Sequence, residues 1–168
     1  WEHQALVRSR SLAGDAGVRD RFGKIRAASL QAHRDPAQIQ ADVTAMRLRM
    51  RNELDRSTGV RFDIKQGLGG LVDMEFFLQS RVLTLASADQ SVLAMQRSPE
   101  IIAVLEAIGD ITKSDASALQ AHYENLIAHS MICSLDQRPR IIELTDELQD
   151  QCRATLTIYA AKGMDYKS

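Results

Sequence analysis

Cysteine occurs twice in this chain, proline three times, and aromatic residues fill only 5% of its 168 positions. Each scarcity excludes something. Cys133 and Cys152 stand apart, with no CxxC and no Cys/His cluster around them. That argues against a disulfide framework and against zinc, which takes four ligands at recognisable spacing. Both are expected as free, partly buried thiols of a cytosolic protein. No run approaches the roughly 18–20 apolar residues of a membrane span. No leader is expected, because Trp1 falls in a strongly patterned segment, and the missing initiator methionine suggests a piece of a longer protein. Scarce aromatics, a net charge of −1 and the absence of a recognised motif disfavour nucleic-acid binding.

What is present reads as an ordinary soluble globular chain, 45% hydrophobic and 26% charged. Its length suits one compact domain, which can bury about 70% of its unfolded surface. Charge is unevenly spread: residues 1–65 carry 13 Lys/Arg against 8 Asp/Glu, and residues 66–168 carry 8 against 14. Such a basic half either faces an acidic partner or a nucleotide, or is simply solvated helix surface.

Nearly every segment has helical period. Trp1, Ala5, Leu6, Leu12 and Ala13 make one stripe that Gly14 stops, and Val18, Phe22, Ile25 and Ala28 or Ser29 make a second, capped by Asp15. Asp35-Pro36 is a helix start, followed by Ile39, Val43, Met46, Met50 and Leu54. Residues 60–66 alternate with period 2, too short for a sheet alone. From Leu71 the helical period returns, apolar on most sides, which places that helix in the middle of a bundle. Ser98-Pro99 opens a short helix closed by Gly109, Ser114-Asp115 a longer one, and Arg138-Pro139 the last. The expected fold is all-α, a single helical bundle of about seven helices over residues 1–168, with at most a short extended segment near 60–66.

The stretch FDIKQGLGGLVDMEFFLQ, residues 62–79, concentrates the chemistry. Its glycine run ahead of a helix matches neither GxxxxGK[ST] nor GxGxxG and follows no real strand, so as a phosphate loop it is weak. Asp73 and Glu75 already occupy the positive end of that helix, where acids stabilise the dipole by about 0.3–1 kcal/mol each. On a helix, residues i and i+2 diverge by about 200°, so these two carboxylates cannot clamp one metal together. Arg47 and Arg51 share a helix face that is exposed by default. His3, His33, His122 and His129 are scattered as surface or hydrogen-bonded helix residues, with no nucleophile set around them.

Two segments together carry a resemblance. WEHQALVRSRSLAGD (1–15) and FDIKQGLGGLVDMEFFLQ (62–79) resemble the glutamine synthetase adenylyltransferase family, in which a W-E-x-x-A-L-x-R-x-R-x-x-A-G-D helix precedes F-D-x-K-x-x-x-G-G-[IL]-x-D-[IM]-E-F by some 50 residues. Members are bifunctional: one half attaches AMP from ATP to a tyrosine of glutamine synthetase, the other removes it. The wording FDIK is similar to the C-terminal, adenylylating half. The resemblance implies a helical domain following the nucleotidyltransferase domain, with ATP and Mg²⁺ used by the whole enzyme, and glutamine synthetase and the PII signalling protein as partners. It implies that Lys65, Gly69 and Gly70 form a loop facing the nucleotide cleft, with Asp73 or Glu75 orienting Mg²⁺ or a basic group across the domain boundary. The family's catalytic Asp-x-Asp occurs nowhere in the 168 residues, so no catalytic residue is expected in this stretch, and the chain alone is expected to be inactive.

Overall fold

A computed structural model of the chain describes residues 2–166. Trp1, assigned to the first apolar stripe, lies outside the described residues. In order, the elements are α1 (Glu2–Arg8), α2 (Ala16–Gln31), α3 (Pro36–Leu54), β1 (Arg61–Asp63), α4 (Leu71–Leu85), a 3-10 turn (Gln90–Leu93), α5 (Ser98–Ala107), α6 (Lys113–Leu135), β2 (Ile141–Glu143) and α7 (Asp146–Ala161). The all-α expectation holds, with one two-stranded ribbon added. None of the described helices is long and apolar enough to cross a membrane.

The local signals act as their chemistry dictates. Asp15 accepts from the amides of Gly17 and Val18, and Asp35 accepts from Ala37 with Pro36 beginning α3. Gly109, at φ +76°, closes α5 in the left-handed conformation. α4 is the axle: α1, α3, α5 and α6 all pack on it. Met74, Phe77, Leu78 and Val82 of α4 are fully buried in the main core. A smaller core lies under the ribbon, where Phe62 and Ile64 meet Leu126, Cys133, Leu148 and Cys152.

Four expectations need correction. α1 stops at Arg8, short of Gly14, and it buries Gln4 and Val7 instead of the Ala5/Leu6/Leu12 stripe. The guanidinium of Arg26 explains the early stop. It donates to the Leu6 and Val7 carbonyls at 2.9 and 2.7 Å and to Leu93 at 2.9 Å, satisfying the helix end from a neighbouring helix. α2 correspondingly turns Arg26 and Leu30 inward, leaving Val18 and Ile25 67% and 58% exposed. Thr112, in a reciprocal cap with Asp115, starts α6 ahead of the Ser114-Asp115 signal. Arg138-Pro139 starts no helix. The chain there extends into β2, which pairs antiparallel with β1, Phe62 opposite Ile142, before Thr145 caps α7. The period-2 segment was too short for a sheet alone, and its partner strand lies 80 residues away.

The glycine turn ahead of the central helix

β1 delivers Asp63 to the start of the turn. Its Oδ1 accepts from the amides of Lys65 and Gln66, both at 2.9 Å, and its own amide donates to Ser57 Oγ at 3.0 Å. The chain then curls back, and the carbonyls of Ile64 and Lys65 accept from Leu71 and Val72 at 2.9 and 3.1 Å. The turn thus caps α4 with its own backbone, leaving few amides at the helix start for an outside anion.

Gly69 sits at the centre, buried, at φ +86°. Its amide donates to Asp73 Oδ2 at 2.6 Å and its carbonyl meets His122 Nε2 at 2.8 Å. A Cβ there would lie 2.8 Å from the Cβ of Cys152. Both the backbone conformation and the space demand glycine. Gly69→Ala is expected to cost about 1–3 kcal/mol, read from urea denaturation, through strain at positive φ together with the clash on α7.

Behind the turn lies the feature the sequence reading missed. Arg47 and Asp73 are both fully buried and ion-paired, and Arg47 also donates to the Gln66 carbonyl at 2.6 Å. Burial pushes the Asp73 carboxyl above its usual range, opposed by the charge of Arg47 and the amide of Gly69. Arg47 was read as exposed by default. Its phase shows otherwise, since Ile39, Val43 and Arg47 follow at i, i+4 and i+8 and are the three buried residues of α3.

α6 and α7 complete the cage. His122 is buried, with Nδ1 3.3 Å from Gln151 Oε1, and Gln151 in turn accepts from Asn125 at 2.7 Å. Cys152 Sγ lies 3.9 Å from His122 Nε2. This pair is no activated nucleophile: burial, reinforced by the charge of Asp73, pushes the thiol up to about 12, so it stays protonated at neutral pH. Both cysteines are free and buried.

Each predicted site residue can now be placed. Gly69 and Gly70 are buried in the turn, the Gly70 amide donating to the Gly67 carbonyl at 2.8 Å. Lys65 is the exposed member. Asp73 points inward to Arg47, while Glu75, on another side of α4, pairs with Arg8 of α1. These two carboxylates do not fit a magnesium ion: Asp73 has both oxygens engaged and no exposure, and Glu75 is held by a guanidinium elsewhere. Among the described residues, no three His, Cys, Asp or Glu side chains gather as a metal-holding group.

Known proteins resemble this chain in sequence. A family model described as GlnD PII-uridylyltransferase matches residues 37–141, from α3 into β2. A bifunctional glutamine synthetase adenylyltransferase/adenylyl-removing enzyme of Xanthomonas campestris pv. campestris (strain B100) is 40% identical over 167 residues, covering 99% of this chain and 18% of its own length. The enzyme of the same description from Xanthomonas oryzae pv. oryzae (strain MAFF 311018) is 45% identical over 156 residues, 93% of this chain and 16% of its own length. That of Hahella chejuensis (strain KCTC 2396) is 39% identical over 161 residues, again 16% of its length. The chain therefore spans less than a fifth of the length of these curated relatives. It belongs to the family that the GlnD PII-uridylyltransferase model describes, and along nearly its whole length it is similar to one segment of these glutamine synthetase adenylyltransferase/adenylyl-removing enzymes.

Proposed function

We propose that this chain is the helical domain that follows the nucleotidyltransferase domain in the C-terminal, adenylylating half of a glutamine synthetase adenylyltransferase. It braces that domain while AMP passes from ATP, with Mg²⁺, to a tyrosine of glutamine synthetase in the cytoplasm. Glutamine synthetase and the PII signalling protein are the partners its surfaces serve. The observation that carries this reading is similarity along 99% of the chain to a protein more than five times its length. The arrangement of the turn supports an accessory role. Its only fully buried carboxylate is spoken for by Arg47, and its cysteine is protonated, so the chemistry of transfer is assigned to the rest of the protein.

In this reading, Lys65 is the group offered to a phosphate of the nucleotide, and Gly69 and Gly70 act indirectly by fixing the turn that presents it. Asp73 holds the turn from inside, and Glu75 fixes α1 against α4. In the full-length enzyme, Lys65→Ala is expected to raise KM for ATP about three- to tenfold. It should change stability by no more than about 0.5 kcal/mol, since the side chain is exposed. Steady-state kinetics beside urea denaturation tests both. Unchanged ATP affinity with undiminished transfer would favour the second reading, a purely structural or protein-binding module whose turn never meets nucleotide. The burial of Gly69 and Gly70 is the observation on that side.

A further inference from the structure

Gly69-Gly70 is the one glycine pair in the sequence, and it falls in the turn that presents Lys65. The peptide plane between them has no Cβ on either side, so local sterics leave it free to flip. Its orientation nevertheless decides the turn. The Gly69 carbonyl and the Gly70 amide lie in one plane and point opposite ways. Fixing the first therefore aims the second at the Gly67 carbonyl, 2.8 Å away. The preceding plane is held by Asp73, whose Oδ2 accepts from the Gly69 amide at 2.6 Å. The glycine-pair plane is held by His122 of α6, with Nε2 2.8 Å from the Gly69 carbonyl.

We propose that His122 is a positioning residue for Lys65, holding the turn in the state that offers the lysine to a nucleotide phosphate. This rests on the Lys65 reading above and adds to it the side chain that sets the turn. A carbonyl only accepts, so Nε2 carries a proton and donates it to Gly69. The ring is 1% exposed and Gly69 is buried, so losing the imidazole leaves a buried carbonyl unpaired. Cys152 Sγ, 3.9 Å from the same nitrogen, is too far from it to take over the hold. The angle of the ring is set from its other side: Nδ1 lies 3.3 Å from Gln151 Oε1, and Asn125 donates to that oxygen at 2.7 Å. A relay from α7 and α6 thus ends on the glycine pair. Lys65 follows its setting, because the Lys65 carbonyl accepts from Val72 and the Lys65 amide donates to Asp63 within the same hydrogen-bonded turn.

The test is a kinetic cycle in the full-length enzyme, with KM for ATP as the readout beside urea denaturation. His122→Ala is expected to raise KM about three- to tenfold, as Lys65→Ala does, because binding is lost at a distance from the reacting atoms. His122→Gln, whose amide nitrogen can stand in for Nε2, should stay within about twofold of the parent. In the Lys65→Ala background, His122→Ala should raise KM no further, since the residue it positions is gone. A merely structural histidine would lower stability in both backgrounds and leave KM for ATP where it was. If His122→Ala does not fold, Gln151→Ala replaces it from the half-buried end of the relay. A rise of about two- to fivefold is then expected in the parent and none beside Lys65→Ala. Rises that multiply in the double variant overturn the proposal, and so does a His122→Gln enzyme as impaired as His122→Ala. If Lys65→Ala raises KM and the His122 or Gln151 variant does not, the positioning role alone falls. If Lys65→Ala itself leaves KM unchanged, the Lys65 reading fails and the positioning role falls with it.

Discussion

Arg47→Ala is expected to lower stability by about 3–5 kcal/mol, the cost of breaking a buried ion pair by removing one partner. Arg47 and Asp73 have no exposure, so deletion strands a carboxylate whose one remaining donor is the Gly69 amide. The Gln66 carbonyl loses its 2.6 Å donor as well. Urea denaturation measures the loss, and its pH dependence identifies the cause. Asp73 already has its folded-state value raised by burial, and without Arg47 that value rises further. A carboxyl with a raised folded value contributes its full stability below the ordinary value of 3.8 and loses it as pH climbs through the folded value. The deficit of Arg47→Ala should therefore be smallest in acid and grow toward neutrality. A pH-independent loss would show that packing, not charge, dominates. The double replacement Arg47→Met with Asp73→Asn should recover part of the stability, because no charge is left buried and the amide oxygen can still accept from Gly69, while the Gln66 carbonyl stays without its donor.

Phe77→Ala is expected to cost about 3–5 kcal/mol as a cavity in the main core. Phe77 is fully buried on the axle helix, its ring 4.5 Å from that of Tyr159 at 31°, and Tyr159 meets Tyr166 edge-on at 5.8 Å. Truncation removes both the buried area and the aromatic contact tying α4 to α7 and the C-terminal segment. Lys65→Ala is the comparison, and its loss should be several-fold smaller. Equal, small losses at both would contradict the central placement of α4.

The contrast between these sites tells how much was legible beforehand. Phe77 was readable because α4 is apolar on most sides, and only a helix surrounded by others can hide such a surface. Arg47 was readable in phase but not in kind, since an arginine on an apolar stripe is exposed unless a carboxylate waits opposite. Here Asp73 waits 26 residues away. Arg26 is the same case, its partners being carbonyls of α1 and the 3-10 turn. Val18 and Ile25 erred in the other direction: their period is helical, but the neighbours of α2 sit on its Arg26–Leu30 side. Part of the basic character of residues 1–65 is thus internal wiring, since Arg26, Arg34 and Arg47 serve carbonyls and a carboxylate of the fold itself.

The sequence by itself determined most of the helices and several of their caps, because those follow from residues within a few positions of one another, and the central place of α4 follows from its apolar surface. Period, Asp15, Asp35-Pro36 and Gly109 act locally, and each contributes wherever the chain goes. Only the tertiary structure decided that residues 141–143 form a strand, that Gly69 is packed against Cys152, and that the glycine turn is a buried joint with Lys65 alone turned outward. Burying a charge or a strained glycine is unfavourable until its distant partner arrives, so its outcome is set by assembly and not by its neighbours in the chain.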